Sequence, residues 1–521
     1  MTTAKTAAIT CLAVIILWGG FLRLYKLGDQ SFWMDEAISV LHAQAIVDHG
    51  YPLLENSRIS LESLPTHYLM ALGINLCPDI HWGGRLLQAL AGIIVLPLFF
   101  VLSRYLYQDS KSALLTTALM ALMTYEIAWS RQARMYAFLQ FFMVTSLVAF
   151  HCFLNGSGRR YLLMAGVCAL LAVLSHRAGY LVVLMLALMI GTSGFGRLKQ
   201  GIGCLRRQSK WVFVGVGVFV GGFILLLLMA DNTSSLVATI NNVFGSSRTG
   251  YAHQYFSFLK HQFGPFLWLA LIGGLLFLAR NWQMAVPLVL GAGMFFATIS
   301  WKTYLFAFRY SFPLFFILIL LAGYCFKVAF DWFPTPNKWF RGMVAAGLIS
   351  GFAFCLHAAE ITVIPRGYYL LGYTEPQPDW RKGFQTISKQ YTAQFSNDLG
   401  LSELNVVTTL PMFHDLYLGK ATGHKFYLPL SFTGYPGDVQ LAPAYTTARV
   451  INNLEQLKAI DGYVILDDFS FNMLVNQDIQ TYLSITTSRE VVHGKFPLCI
   501  WRINPQSAVR GPREMKFGPY R

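Results

Sequence analysis

The feature that most constrains this chain is a succession of apolar runs, each near the ~20 residues needed to cross a bilayer as a helix. They are Ala7 to Leu24, Arg85 to Tyr105, Ser112 to Ala128, Met135 to Leu154, Tyr161 to Leu174, Leu181 to Gly191, Trp211 to Ala230, Tyr255 to Ala279, Met284 to Ser300, Phe308 to Phe326 and Met343 to Glu360. In hydrocarbon every backbone N–H and C=O must be paired within the segment, so such runs become helices. The expected architecture is therefore an all-α polytopic membrane protein with about 11 spans. Composition agrees: 55% of the 521 residues are hydrophobic, 12% are charged, and the mean hydropathy is +0.48. That is far more apolar material than one soluble core requires.

The formal net charge of +15 would suit a nucleic-acid partner. Its lysines and arginines, however, fall mostly in short loops between apolar runs, as the positive-inside rule expects, and the nucleic-acid reading is discarded. The densest cluster in the membrane half, Arg197, Lys199, Arg206, Arg207 and Lys210, fixes its loop as cytoplasmic. Counting from there, the N-terminus is cytoplasmic, and the first run is an uncleaved anchor rather than a leader. None of the eight cysteines forms a CxxC pair, and all but Cys77 and Cys499 lie in or beside apolar runs, so they read as small core hydrophobes.

Two regions are too polar to cross. The first outer loop, 25–84, holds two segments with helical apolar spacing, Glu36 to Val47 and Leu61 to Leu76, expected to lie on the membrane surface. Beyond residue 360 the chain becomes mixed polar, with β-rich runs NVVTTL, GYVILDD, REVVHG and FPLCIWRI and helical candidates Trp380 to Phe395 and Leu454 to Ile460. The expected domains are thus a membrane domain, 1–360, and a small extracytoplasmic α/β domain, 361–521.

Charge is costly beside hydrocarbon, so the polar residues on the outer face ask for a reason. Asp35 and Glu36 stand side by side after the first span, Glu62 and His67 follow, and later outer ends carry Arg131, Arg134, His176, Arg177, Lys302 and Arg309. A carboxylate that deprotonates a hydroxyl, with cations that hold a departing phosphate, would use both signs on one face. Each residue also has a plainer reading. Asp35 and Glu36 open an apolar-periodic segment and serve equally as helix-start acids. Arg134 could snorkel, His176 and Arg177 could be a turn, and Tyr136, Tyr304 and Tyr310 suit an interfacial aromatic belt. No HExxH-type metal spacing occurs, although His42, Asp48, His49 and His67 leave a divalent metal ion open as a cofactor. Nor is there a GxGxxG or Walker pattern to cradle a nucleotide phosphate.

FWMDEA in the first loop, LPTHY further along it, SRQARMYAF and FRYSFPLF opening two later spans, and DWRKGF beginning the outer domain together resemble the GT-C glycosyltransferases that use polyprenyl-phosphate sugars. The likeness is to bacterial relatives of the protein O-mannosyltransferases and of the lipid A aminoarabinose transferases. It implies Asp35 as catalytic base, with Glu36 completing the pair. It also falls on Arg134, Tyr136, Arg309 and Tyr310; joined to the other polar residues of the outer face, these give an expected donor-phosphate set of Arg134, Tyr136, Lys302, Arg309, His176 and Arg177 and an acceptor or cavity lining of Glu62, His67 and Tyr310. The implied reaction is attack by an acceptor hydroxyl, on a lipid, glycan or protein, at the anomeric carbon of a polyprenyl-phosphate sugar. The chain departs from many relatives at Leu64, Pro65 and Thr66, where they carry a double proline. A lipid-linked glycan transporter and an O-antigen-ligase-like enzyme are the rival readings; the first would place ionisable residues deep in mid-span, where this chain is nearly neutral.

Overall fold

In the computed structural model the residues described are 2–53, 59–192, 250–301, 307–332, 353–365, 378–394, 401–419, 423–430, 447–486, 489–492 and 497–503. The expected span Trp211 to Ala230, Lys302, Tyr304 and the first half of Met343 to Glu360 lie outside them. The chain divides into two compact units. One comprises Met1–Leu27, Leu61–Leu69 and Arg85–Thr374; the other comprises Gly28–Ser60, Met70–Gly84 and Glu375–Arg521. Most of the first outer loop is therefore grouped with the C-terminal residues.

The first unit is helical. Its elements are α1 (Thr2–Leu24), the first half of α3 (Leu64–Leu76 in full), most of α4 (Ile80–Tyr107), α5 (Ser110–Leu122), α6 (Thr124–Ser130), α7 (Tyr136–Leu154), α8 (Arg159–Ser175), α9 (Tyr180–Thr192), α10 (Ala252–Phe263), α11 (Pro265–Trp301) and α12 (Phe312–Trp332). Among the described residues, five helices are long and apolar enough to cross a membrane: Thr6–Leu24, Ile80–Tyr107, Tyr136–Leu154, Pro265–Trp301 and Phe308–Asp331. Ser110–Leu122 and Arg177–Thr192 are shorter apolar helices.

Four breaks, at Asn281, His176, Met123 and Gly264, decide how the runs fold. At 37 residues α11 would be about 55 Å long if straight, nearly twice the hydrocarbon thickness. Asn281, at φ −150° and ψ 67°, interrupts it. A Cβ on Gly274 would stand 3.5 Å from Val289 Cγ2, which requires the two halves to double back. The two runs expected on either side of Arg280 are thus two packed limbs. The run from Tyr161 to Gly191 is also two helices: α8 ends at His176, whose backbone is extended, and Gly179 lies against the backbone of Ala172 and Val173.

Two expected spans are corrected. Ser112 to Ala128 is split at Met123, which is extended and forms an antiparallel bridge with Ile361. Thr124 N–H donates to Glu360 O at 3.0 Å and Thr362 N–H to Leu122 O at 2.8 Å, so backbone groups from a distant segment replace helical partners. Tyr255 to Ala279 breaks at Gly264, at φ +52°, where a side chain would strike the Ala358 carbonyl. Close helix contact elsewhere rests on Gly273, which lies under the Leu321 carbonyl of α12.

The second unit holds α2 (Met34–His49) and a six-stranded sheet: β1 (Asn405–Thr408), β2 (His424–Tyr427), β3 (Arg449–Val450), β4 (Gly462–Asp467), β5 (Arg489–Val492) and β6 (Leu498–Ile503). Strand order is β3-β2-β1-β4-β6-β5. The first four run parallel, β6 pairs antiparallel with β4, and β5 pairs antiparallel with β6. Near-continuous apolar runs such as Tyr463 to Leu466 suit strands covered on both faces. The helices are α13 (Trp380–Gln394), α14 (Met412–Tyr417), α15 (Leu454–Lys458), α16 (Asp468–Asn472) and α17 (Gln477–Ile485); the last three pack over a core that includes Val407, Val464, Leu466, Tyr482 and Trp501, while Gly383 of α13 lies against Ile465 and Leu498. Helix α2 departs from its expected place on a membrane surface. Nine of its sixteen residues are buried, and the consecutive stretch Ser39 to Ala43 covers every face of the helix.

Candidate active site

The first unit gathers most of the residues expected at the donor phosphate. His176 ends α8 with an extended backbone and leads into the 3-10 turn Arg177–Gly179. Its Nδ1 accepts the Ala178 N–H at 3.1 Å, which places the ring proton on Nε2. Burial, and then the guanidinium groups of Arg134, Arg177 and Arg309, hold its pKa down to about 3. The imidazole is therefore neutral at any physiological pH and presents an N–H donor. Tyr136 opens α7 with its ring 5.4 Å from that of His176, and Tyr310 lies 6.4 Å away on the other side. The Arg309 guanidinium sits over the Tyr310 ring at 5.6 Å.

Aromatic packing sets these positions. Trp129 of α6 meets Tyr136 at 4.5 Å, and Tyr125 stacks on Phe315 at 4.5 Å. The 3-10 turn Phe308–Ser311 is held by Phe258 of α10, 4.4 Å from Phe308, and by Tyr255, whose hydroxyl donates to Ala307 O at 3.1 Å. Three arginines, a neutral imidazole N–H and two phenols thus stand in one region, and guanidinium forks are the side chains whose geometry matches a phosphate.

Arg131 has a different duty from Arg134. Its Nη1 donates to the carbonyls of Leu22, Arg23 and Tyr25 at 3.2, 2.9 and 2.7 Å, and its Nη2 to Lys26 at 3.2 Å. It thereby caps the C-terminal end of α1. Arg85 makes a similar contact with Leu27 O at 3.2 Å.

Asp35 and Glu36 lie in the second unit, in the first turn of α2. Glu36 is buried, 1% exposed, and accepts the Trp33 N–H at 3.4 Å, so the helix-start reading is correct for it. Asp35 is partly exposed, and its backbone carbonyl accepts from Ser39 Oγ at 3.0 Å. Of the pair, Asp35 is the more exposed. Glu62 is exposed in the turn before α3, and His67 is buried in that helix's first turn. Between them Ser63, at φ +52°, donates through Oγ to Ser175 O at 2.7 Å, which ties this segment to the residue before His176.

Among the described residues no three His, Cys, Asp or Glu side chains gather as a metal cage. The sequence did not single out Glu126, which is buried and accepts from Gln140 Nε2 at 3.0 Å. Nor did it single out Arg23, buried in α1, with Nη1 3.1 Å from the Gly19 and Ala121 carbonyls. An acid in α6 and an arginine in a membrane run were the available signals.

Residues 63–220 match the family model described as dolichyl-phosphate-mannose-protein mannosyltransferase. Among solved structures, the archaeal oligosaccharyltransferase AglB from Archaeoglobus fulgidus, in complex with an inhibitory peptide and a dolichol-phosphate, is similar at 15% identity and TM-score 0.55, over 89% of this chain and 70% of that one. ArnT from Cupriavidus metallidurans bound to undecaprenyl phosphate is similar at 14% identity and TM-score 0.54, over 98% of this chain and 100% of that one. No curated protein matches the sequence. The chain shares its fold with AglB and ArnT, and the family model matches residues 63–220 of its 521.

Proposed function

We propose that this protein moves a sugar from a polyprenyl-phosphate carrier to an acceptor hydroxyl at the extracytoplasmic face of the membrane. The observation that carries the reading is the grouping of Arg134, Arg177 and Arg309 around a neutral His176, on a fold shared with proteins solved with dolichol-phosphate and undecaprenyl phosphate. A donor with a polyprenyl tail stays in the bilayer, since each buried methylene contributes roughly 0.8 kcal/mol. The enzyme then has to act at the membrane surface.

In the proposed reaction Asp35 takes the proton of the acceptor hydroxyl as its oxygen attacks the anomeric carbon. The bond from that carbon to the phosphate oxygen breaks, and the anomeric configuration inverts. The departing polyprenyl phosphate gains negative charge, which planar guanidinium forks stabilise through paired hydrogen bonds. His176 adds an N–H without competing for the proton. Glu36, occupied at the helix start, holds the turn that presents Asp35.

The test incubates purified protein with a panel of radiolabelled polyprenyl-phosphate sugars and measures release or transfer, with Asp35→Asn alongside. Turnover of one donor that falls at least 100-fold in Asp35→Asn is expected for loss of a general base. Turnover of none, or full activity in Asp35→Asn, defeats the assignment.

A further inference from the structure

The second unit contains a contact set that the proposed reaction does not use. Strand order reverses between β1 and β4: the chain runs from β1 to β2 to β3 on one side, then returns to place β4 on the other. In open parallel sheets the crevice outside the carboxyl ends of such strands is where ligands bind. Helix α14 starts soon after the carboxyl end of β1, and the first residue of α13, Trp380, stacks on Phe413 of α14 at 4.8 Å. The N-terminus of α13 therefore lies at that same edge.

What these two helices hold is the segment leading to the acids. Arg381 Nη1 donates to Gly28 O at 3.3 Å and Nη2 to Asp29 O at 2.6 Å, while its backbone N–H donates to Ser31 Oγ at 3.3 Å. The Tyr417 hydroxyl at the end of α14 lies 3.0 Å from Ser31 Oγ and accepts the Phe32 N–H at 3.3 Å. His81 stands on the far side, with Nε2 3.3 Å from the Tyr417 oxygen and Nδ1 3.5 Å from Arg381 Nη1. Its ring stacks on Phe32 at 4.4 Å. Donor roles follow. Arginine can only donate, so His81 Nδ1 accepts and Nε2–H donates to Tyr417, whose own proton then goes to Ser31. Backbone groups from Gly28 to Phe32 are fixed in turn, and Trp33 is fixed by Glu36.

We infer that Arg381 and Tyr417 are positioning residues: the C-terminal α/β domain uses its switch-point edge to hold the 28–33 segment and so sets the orientation of Asp35. This rests on the reading of Asp35 as base. It gives the domain a role within the catalytic unit, separate from any recognition of acceptor.

The test measures Arg381→Ala, Tyr417→Phe and, as a control on the exposed face of α13, Lys389→Ala, in the full-length protein. Readouts are kcat for sugar transfer at saturating donor and, separately, Kd for polyprenyl phosphate. Misplacing a reacting group by about 1 Å costs on the order of 100-fold. A fall in kcat of about 10- to 100-fold is therefore expected for Arg381→Ala and less for Tyr417→Phe, with Kd within twofold and Lys389→Ala unchanged. Ethylguanidinium added to Arg381→Ala should restore part of kcat, which a merely unstable variant would not show. Unchanged kcat in Arg381→Ala, or joint loss of kcat and donor binding without rescue, overturns the inference. An inactive Asp35→Asn beside a fully active Arg381→Ala sinks the positioning role alone, whereas a fully active Asp35→Asn sinks the base assignment on which it stands.

Discussion

Arg131 and Arg134 stand three residues apart in one short segment, and the structure gives them opposite consequences on removal. Arg131 donates to four carbonyls at the end of α1, and its side chain is buried. Arg131→Ala leaves those acceptors without a cationic partner. Hydrogen bonds to charged groups contribute about 1.5–3 kcal/mol each, but the four share one guanidinium and some acceptors regain water, so a net loss of about 3 kcal/mol is reasonable. Arg134 belongs to the group acting on His176. Its alanine variant should raise the Kd for polyprenyl phosphate by about 10- to 100-fold, about 1.4–2.8 kcal/mol, while melting near the wild-type temperature. The assay is thermal unfolding in detergent for both variants, together with titration of polyprenyl phosphate against each folded protein. Unchanged donor affinity in a folded Arg134→Ala refutes its phosphate role. A normal melting temperature in Arg131→Ala refutes the capping role.

Two further outcomes follow from titratable groups. The folded pKa of His176 is about 3 against about 6.5 unfolded, so above pH 6.5 both states are neutral. Between those values the unfolded chain binds a proton that the folded chain refuses, and stability falls with pH through that window, by about 1–2 kcal/mol at pH 5. His176→Asn should flatten this part of a melting-temperature profile, and an identical profile would show that His176 does not titrate this way. In the C-terminal domain Lys425 Nζ lies 2.7 and 2.8 Å from the two carboxylate oxygens of Asp415, and both side chains are nearly buried. Lys425→Met leaves a buried carboxylate unpaired and should cost about 3–5 kcal/mol, most of it recovered in the double variant with Asp415→Asn. Equal destabilisation of single and double variants in denaturant melts would contradict that.

The sequence located helices where apolar length alone decides them, as in α1, α7 and the two limbs of α11. It could not place the break at Met123. Methionine is a good helix former, and the interruption comes from residues 360–362, more than 230 positions away in the chain. The strand runs in β1, β4, β5 and β6 were legible from β-branched and aromatic content. β2 and β3 were not, being short and carrying polar residues such as His424, Lys425 and Arg449. At the site, Arg134, Tyr136, His176, Arg177, Arg309 and Tyr310 were each visible as polar or aromatic residues at span ends. That Glu36 closes the helix start while Asp35 does not follows from helix phase, which no composition signal carries. His81, Arg381 and Tyr417 were beyond reach, because what matters about them is contact across some 300 residues.

The arginines at the span ends and in the loops beside them fall into two groups by what surrounds them. The C-terminal end of a helix bears a partial negative charge and unpaired carbonyls, so a guanidinium can be satisfied by backbone alone. Arg131 at the end of α1 and Arg85 at Leu27 donate to such carbonyls, and Arg381 donates to the Gly28 and Asp29 carbonyls beside His81. Such arginines hold the first span's exit and the segment after it without any ligand. Arg134, Arg177 and Arg309 instead act together on an imidazole that burial, and then their charges, keep neutral, an arrangement in which each added cation makes the next more costly. Mutual repulsion of that kind is relieved by bound negative charge. Donor phosphate should therefore stabilise the folded protein more in the wild type than in Arg309→Gln at equal saturation, and equal ligand-induced shifts in melting temperature would show that the cationic group has no such need.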